Sequence, residues 1–470
     1  MSQLVAGIDS SSQSTKVVLV RAEDGVVVDQ ASSPHPVGTE VDPQAWWEAL
    51  QLAGSGLLDR AAAIGVGGQQ HGMVALDADG AVVRPALLWN DLRSAPQIAD
   101  VIAHFGGEQQ TADAIGSVPP ASFTVTKLRW MAENEPENAE RTSAVMLPHD
   151  WLTWMLAGGP GSGAEMVTDH GDASGTGYYS PARRDWLPEV AAWALGRGPG
   201  GPAPQLPRIA GPGEVVGTTT GGAQLSAGTG DNMAAALGLC LRDGDVVVSI
   251  GTSGTAFCVT DSPRADPTGS VSGFADASGR YLPLVCTVNA SRILSVTARL
   301  LGVDHDEFAA LALAAEPGAG GLTFLPYMDG ERTPNRPTAT GVLSGLTSGV
   351  QREDLARAAV EALLGSLGDA IDALGVVPGR VLVIGGAARN PAVQQLAPAV
   401  WGLPVEFPVP GEYVALGAAR QAAWALSGAD EPPAWAPPET TAFTADPTPV
   451  VRRRYDVLRD RTADWTESRA

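Results

Sequence analysis

The chain has 470 residues, 44% hydrophobic and 17% charged, which suits two large globular domains with buried cores. Its formal net charge is −22, from 52 acidic and 30 basic residues; such a chain repels nucleic acid and anionic membrane, and neither is expected as a partner. The three cysteines, Cys240, Cys258 and Cys286, form neither a CxxC pair nor a Cys/His cluster, so no zinc site or disulfide framework is expected and a reducing compartment fits.

The opening MSQLVAGIDSS has no basic n-region and no long apolar core. No apolar run reaches the ~20 residues of a membrane helix, and the expectation is a cytoplasmic protein. Residues 4–8 read as a strand, 9–16 as a small polar loop, 17–20 as a second strand, and Asp24-Gly25 as a turn into a third at 26–28, an antiparallel meander. A helix is predicted over 44–59. A strand end at 64–67 runs into the polar loop Gly68-Gln69-Gln70-His71-Gly72, and 122–133 reads as helical. The glycine- and proline-rich stretches 158–163 and 196–207 are loops. A short helix is predicted over 234–239.

Residues 245–250, 251–254 and 255–259 then repeat the strand–small loop–strand pattern of the N-terminus. Two such units point to two similarly built domains, with the boundary near 239–244, giving 1–238 and 239–470. A long amphipathic helix is expected over 351–374, opened by Arg352, Glu353 and Asp354. A buried strand at 381–384 leads into Gly385-Gly386 and a helix from Pro391 to about Trp401. Residues 430–449 are proline-rich and expected to run extended over the surface, before a last helix over 452–465. Strands and helices in this alternation define an α/β protein.

The chain contains no GxxxxGK[ST] and no HRD or DFG set, so any phosphate is held by other loops. Loops 9–16 and 251–254 combine small residues, which let backbone N–H groups approach an anion, with hydroxyl donors; the alternative for each is a plain hairpin turn. Asp9 ends an apolar strand, where a carboxylate either ligates Mg²⁺, directly or through water, or serves as a turn or cap residue. Lys16 is suited to a phosphate, to Asp9 or to a surface carboxylate; with Lys127 it is one of only two lysines. Asp231 precedes an apolar helix. It reads either as an N-cap or as the general base that phosphoryl transfer to a hydroxyl uses. Gln69, Gln70 and His71 lie between glycines and are suited to reading sugar hydroxyls, although a lone histidine is more often structural. Trp46-Trp47 and Trp89-Asn90-Asp91 supply aromatic surface, for a sugar face or for a core. Gly385-Gly386, between strand and helix, lets a nucleotide approach the backbone.

The ordered set GID…STK (7–16), VDPQAWW (41–47), GVGGQQHG (65–72), LLWNDLR (87–93), LPHDWL (147–152), AGTGDN (227–232), SIGTSGTAF (249–257), FLPYMDGERTPNRP (324–337), GVLSGLT (341–347), LVIGGAARNP (382–391) and ALGAA (415–419) resembles the FGGY carbohydrate kinases over nearly the whole chain. QQHG and LLWNDLR look most like the family's xylulose-phosphorylating branch. The resemblance implies two ribonuclease H/actin-like domains with an interdomain catalytic cleft, sugar bound mainly by the first and ATP mainly by the second. It implies Asp231 as the catalytic base and Asp9 as the acidic residue associated with Mg²⁺ and phosphate, both being metal candidates. Gln70, His71, Asp231 and Asn232 match substrate contacts. Ser12 and Lys16 fall in the first phosphate loop, Gly251 and Thr252 in the second, and Gly385, Gly386 and Asn390 in the adenosine segment.

The implied cofactors are ATP and Mg²⁺, and the implied partners a small sugar and ATP; a homodimer is admitted. The alternatives are a kinase for another ketose or polyol, and a sugar-responsive binding protein without turnover, which the presence of Asp9, Asp231 and both loops disfavours. Two departures stand out. Ser11 replaces the usual glycine of the first loop, where it restricts the backbone, and Gln70 stands where some relatives have methionine. ERTP (331–334) recurs in the family, with a role that its residues alone leave open.

Overall fold

The structure, a computed structural model, describes residues 3–465. The chain divides into two compact units: Met1–Leu241 with Thr260–Leu282 and Gly411–Pro437, and Arg242–Val259 with Pro283–Pro410 and Pro438–Ala470.

In the first unit the N-terminal meander is formed by Leu4–Ser10, Ser14–Arg21 and Val27–Pro34, with Ile8 opposite Val17 and Asp9 opposite Lys16. Ala63–Gly68 joins the first strand in parallel, placing Asp9 beside Gly67, and Gln224–Ser226 and Thr229–Gly230 add in parallel beyond it. Side chains alternate across the sheet. Ala6 and Ile8 join one cluster with Trp46, Leu50 and Leu152, whereas Val5, Val18 and Val20 pack against Ala415, Ala419 and Ala422 of the helix Tyr413–Ser427. Trp46 is therefore core.

That helix comes late in the chain yet lies directly on the first sheet. A Cβ on Gly7 would stand 1.8 Å from the Ala415 carbonyl oxygen, and one on Gly417 would stand 1.8 Å from that of Ala234. The small residues of 415–419 thus serve backbone-to-backbone packing on the sheet and on the helix Asp231–Gly238. Gly417→Ala cannot be absorbed by a side-chain shift. It is expected to cost about 1–3 kcal/mol or more, read as a lower urea midpoint, because overpacked backbone must separate.

The proline-rich stretch 430–449 differs from a surface strap. Trp435 is buried against Val5, Val18 and Val20, and its indole N–H donates to the Ala22 carbonyl at 3.0 Å. Farther on, Thr440–Phe443 is a strand of the second unit. Prolines suppress helix here, but one aromatic anchor and one edge pairing fix the path.

The second unit repeats the plan. Its strands run in the order Tyr281–Thr287, Gly254–Cys258, Asp245–Ile250, Arg380–Ile384, Val405–Pro408, Thr440–Phe443, with parallel pairing on both sides of Arg380–Ile384. The helix Arg352–Ala373 is buried nearly all round from Ala356 to Ile371, rather than along one stripe. Its interior charges meet that burial as an i,i+4 pair, Arg357 to Glu361 at 2.7 Å.

Candidate functional site

Asp9, at the end of the first strand, is 5% exposed. Its Oδ2 lies 3.7 Å from Lys16 Nζ across the antiparallel ladder, and its Oδ1 is buried without a protein partner. Burial raises its pKa to about 6 against the opposing charge of Lys16. Lys16 itself donates to Glu412 at 2.6 Å. Ser11 is not among the described residues with positive φ, so its replacement of glycine carries no backbone strain. Its hydroxyl instead closes the loop, donating to the Ser14 carbonyl and accepting from the Gln13 and Ser14 amides. The Ser12 hydroxyl donates to Gln69 Oε1 at 3.0 Å and accepts from the half-exposed Trp89 indole at 2.8 Å.

Asp231 opens the helix Asp231–Gly238, but Gly230 holds the N-cap position, and the Asp231 carboxylate accepts from the Asn232 amide and from Asn232 Nδ2, both at 2.8 Å. It caps nothing. Burial, and then the charge of Asp9, push its pKa up to about 7, with Asn232 opposing. Asn232 Nδ2 also reaches Gln70 Oε1 at 3.3 Å, while Gln70 Nε2 is buried without a protein partner. A Cβ on Gly230 would meet the Gln70 side chain at 2.8 Å. Gln70 therefore meets Gly230 and Asn232, on either side of Asp231, through its side chain.

His71 sits at φ 68°, and its Nδ1–H donates to the Gly175 carbonyl at 2.7 Å, which fixes the orientation of the ring. The ring stacks on Phe123 with centroids 4.8 Å apart. Lys127 is fully buried; it donates to the His71 carbonyl at 3.1 Å and to the Ser122 carbonyl, and Thr124 donates to the same His71 oxygen at 3.2 Å. Burial lowers the Lys127 pKa to about 7 against the pull of Asp91.

A further cluster lies beneath these loops. His149 is fully buried, with Nδ1 2.5 Å from Asp172 and Nε2 3.2 Å from Asp150. A Cβ on Gly68 or on Gly228 would strike it, so it underlies both the Gln69-Gln70 loop and the turn leading to Asp231. Asp169 accepts from the Gly171 and Asp172 amides and the Thr229 hydroxyl. Burial opposes the imidazolium, but Asp150, Asp172 and Asp169 together raise the His149 pKa to about 10.

In the second unit Gly251 and Thr252 form the loop between Asp245–Ile250 and Gly254–Cys258, with Thr252 exposed. Gly385 has φ 93°, and a Cβ there would stand 2.7 Å from the Ile250 carbonyl oxygen, so this turn demands glycine; at Gly386 the space is open. Asn390 caps the helix Pro391–Trp401 through Oδ1, accepting from the Ala392 amide at 2.9 Å. The first unit thus gathers Asp9, Ser12, Lys16, Gln70, His71, Asp231 and Asn232. The second gathers Gly251, Thr252, Gly385, Gly386 and Asn390. Reading the sequence missed Glu412, the Lys127 clamp and the His149 cluster. The scarcity of lysine and the HD…TDHGD spacing were the available signals for the last two.

The chain belongs to the FGGY family of carbohydrate kinases: residues 4–243 match the model of its N-terminal domain and 246–426 that of its C-terminal domain. It is accordingly a phosphotransferase with two ribonuclease H/actin-like domains. It is 48% identical to a xylulose kinase of Streptomyces coelicolor over 446 residues, covering 91% of this chain and 89% of that protein. It is 46% identical to one of Streptomyces rubiginosus over 447 residues, with the same coverage. The crystal structure of xylulose kinase from Bifidobacterium adolescentis superposes with a TM-score of 0.91 at 46% identity, covering 97% of this chain and 99% of that one. No helix among the described residues is long and apolar enough to cross a membrane.

Proposed function

We propose that the protein phosphorylates D-xylulose to D-xylulose 5-phosphate at the expense of ATP, with Asp231 as the base. The observation that carries this reading is the Asp231 carboxylate, half-buried beside Asn232 and Gln70, with a pKa near the pH at which a base is most effective. The names of the relatives at 46–48% identity support xylulose as the acceptor. Gln70, His71 and Asn232 orient the sugar, and Asp231 takes the proton from its terminal hydroxyl as that oxygen attacks the γ-phosphorus of ATP and ADP leaves.

Loops 9–16 and 251–254 receive phosphates, with Ser12, Lys16, Gly251 and Thr252; Gly385, Gly386 and Asn390 border the adenosine. In this reading sugar is bound mainly by the first unit and nucleotide mainly by the second. The donor set fits Mg²⁺: Asp9 offers a buried carboxylate oxygen without a partner, and Asp9 and Asp231 repel each other in the absence of a cation. Bound there, the ion would neutralise charge on the transferring phosphoryl group.

A second reading, a kinase for another ketose or a pentitol, is favoured by Gln70, whose unpartnered Nε2 adds a donor for a differently placed hydroxyl. An ADP-release assay over pentuloses, pentitols and gluconate with Mg²⁺ decides between them. D-xylulose is expected to give the highest kcat/KM. A folded, ATP-binding protein that turns over none of the panel would end the kinase reading.

A further inference from the structure

The ERTP segment has a definite place in the second unit. Glu331, 2% exposed, is a carboxylate with both oxygens occupied: Oε1 accepts from the Val288 amide at 2.6 Å and the Arg332 amide at 2.8 Å, and Oε2 from the Asn289 amide at 3.3 Å and Asn289 Nδ2 at 3.0 Å. Asn289, fully buried, also donates to the Gly330 carbonyl at 2.8 Å, and the Thr333 hydroxyl donates to the Cys286 carbonyl at 2.9 Å. Side chains, not a strand ladder, bind 286–289 to 330–333.

The next two residues turn toward the phosphate loop. The Ala290 amide donates to the Thr252 carbonyl at 3.1 Å and the Ser291 amide to the Gly251 carbonyl at 3.0 Å. One short turn, 288–291, is therefore gripped by Glu331 on one side and holds two consecutive carbonyls of the loop on the other. Carbonyl oxygens repel a phosphate and amides attract it, so engaging these carbonyls fixes which face the loop offers an anion. Without the carboxylate, four donors lose their acceptor and the turn has no reason to keep this position.

We propose that Glu331 is a positioning residue for the nucleotide phosphates, acting through the 288–291 turn on Gly251 and Thr252. The proposal rests on the reading that this loop receives ATP phosphates. Glu331→Gln in the full chain keeps the volume but turns an amide N–H₂ toward other donors. KM for ATP, and Ki for tripolyphosphate competing with ATP, are expected to rise together by about tenfold, as loss of one charge-assisted set implies. KM for the sugar and Kd for adenosine stay within about twofold, because neither meets this loop.

A folded E331Q protein with unchanged KM for ATP and unchanged Ki overturns the proposal; a merely structural glutamate lowers Tm without moving Ki. Should E331Q fail to fold, Asn289→Ala removes one donor of the same set and is expected to raise both constants about threefold, and no change there is equally fatal. Thr252→Pro, which deletes a loop amide, separates the two layers. If it leaves KM for ATP untouched, the loop reading falls and the proposal with it. If it raises KM while E331Q and N289A do not, only the positioning role is lost.

Discussion

Asp231→Asn is expected to lower kcat about 10³-fold while leaving the sugar's dissociation constant within a few-fold, since an amide keeps the shape and cannot accept the proton. Initial rates and calorimetric titration with sugar check the two halves. The pH dependence follows from the raised pKa: the base works only ionised, so kcat/KM of the parent should fall as pH drops below about 7, and the residual rate of the variant should lack that limb. Stability runs the other way. The folded pKa lies above the ordinary carboxylate value of 3.8, so the folded chain holds a proton that the unfolded chain has released; stability from this group is full below about 4 and lost as pH rises through about 7. D231N should therefore melt above the parent at pH 8, with the gain shrinking towards pH 4. A variant that gains stability while losing turnover marks a carboxylate kept at a folding cost.

His149→Leu is expected to destabilise the first unit by about 3–5 kcal/mol, because it strands Asp150, Asp169 and Asp172 in a buried site without their cation. Equilibrium urea unfolding at pH 8 measures it. Part of the loss should return at pH 5.5, where Asp150 and Asp172, already pushed up chiefly by burial, take up protons once the imidazolium is gone. In the parent the sign is that of a raised histidine: its contribution is complete below the ordinary value of 6.5 and vanishes as pH passes about 10. Because Gly228, in the turn leading to Asp231, stands against this ring, residual folded protein should show weaker sugar affinity.

Much of the architecture could be read along the chain. The runs 245–250 and 381–384 are apolar and bounded by small loops, and they fold as Asp245–Ile250 and Arg380–Ile384. The doubled strand–loop–strand pattern corresponds to two similarly ordered sheets. Asp9, Asp231 and the Gln70-His71 loop were visible as residue types in telling places. What spacing withheld was partnership over distance. Lys16 finds Glu412, 396 positions away, and the Gln421 side chain donates to the Gly228 carbonyl across 193. No periodicity ranks such pairs. Asp231 shows the limit of local rules most sharply: a helix-opening aspartate reads as a cap, yet a glycine occupies the cap position and the carboxylate is held by Asn232 through one oxygen, Oδ1. Glu331 was recognisable only as part of a recurrent tetrapeptide, since its four donors come from a turn more than forty residues earlier and from its own successor.

The helix Tyr413–Ser427, seated on a sheet begun by residues 4–10, makes the order of synthesis matter. When the ribosome has released residues 1–241, the nascent first unit still shows Val5, Val18, Val20 and Ala63 to solvent, and they stay bare until the chain beyond residue 427 has emerged. The N-terminal unit is therefore not completed until nearly the whole chain has been made. Its loop-closure cost spans most of the protein, and a messenger truncated before codon 411 encodes a first unit with an open apolar face.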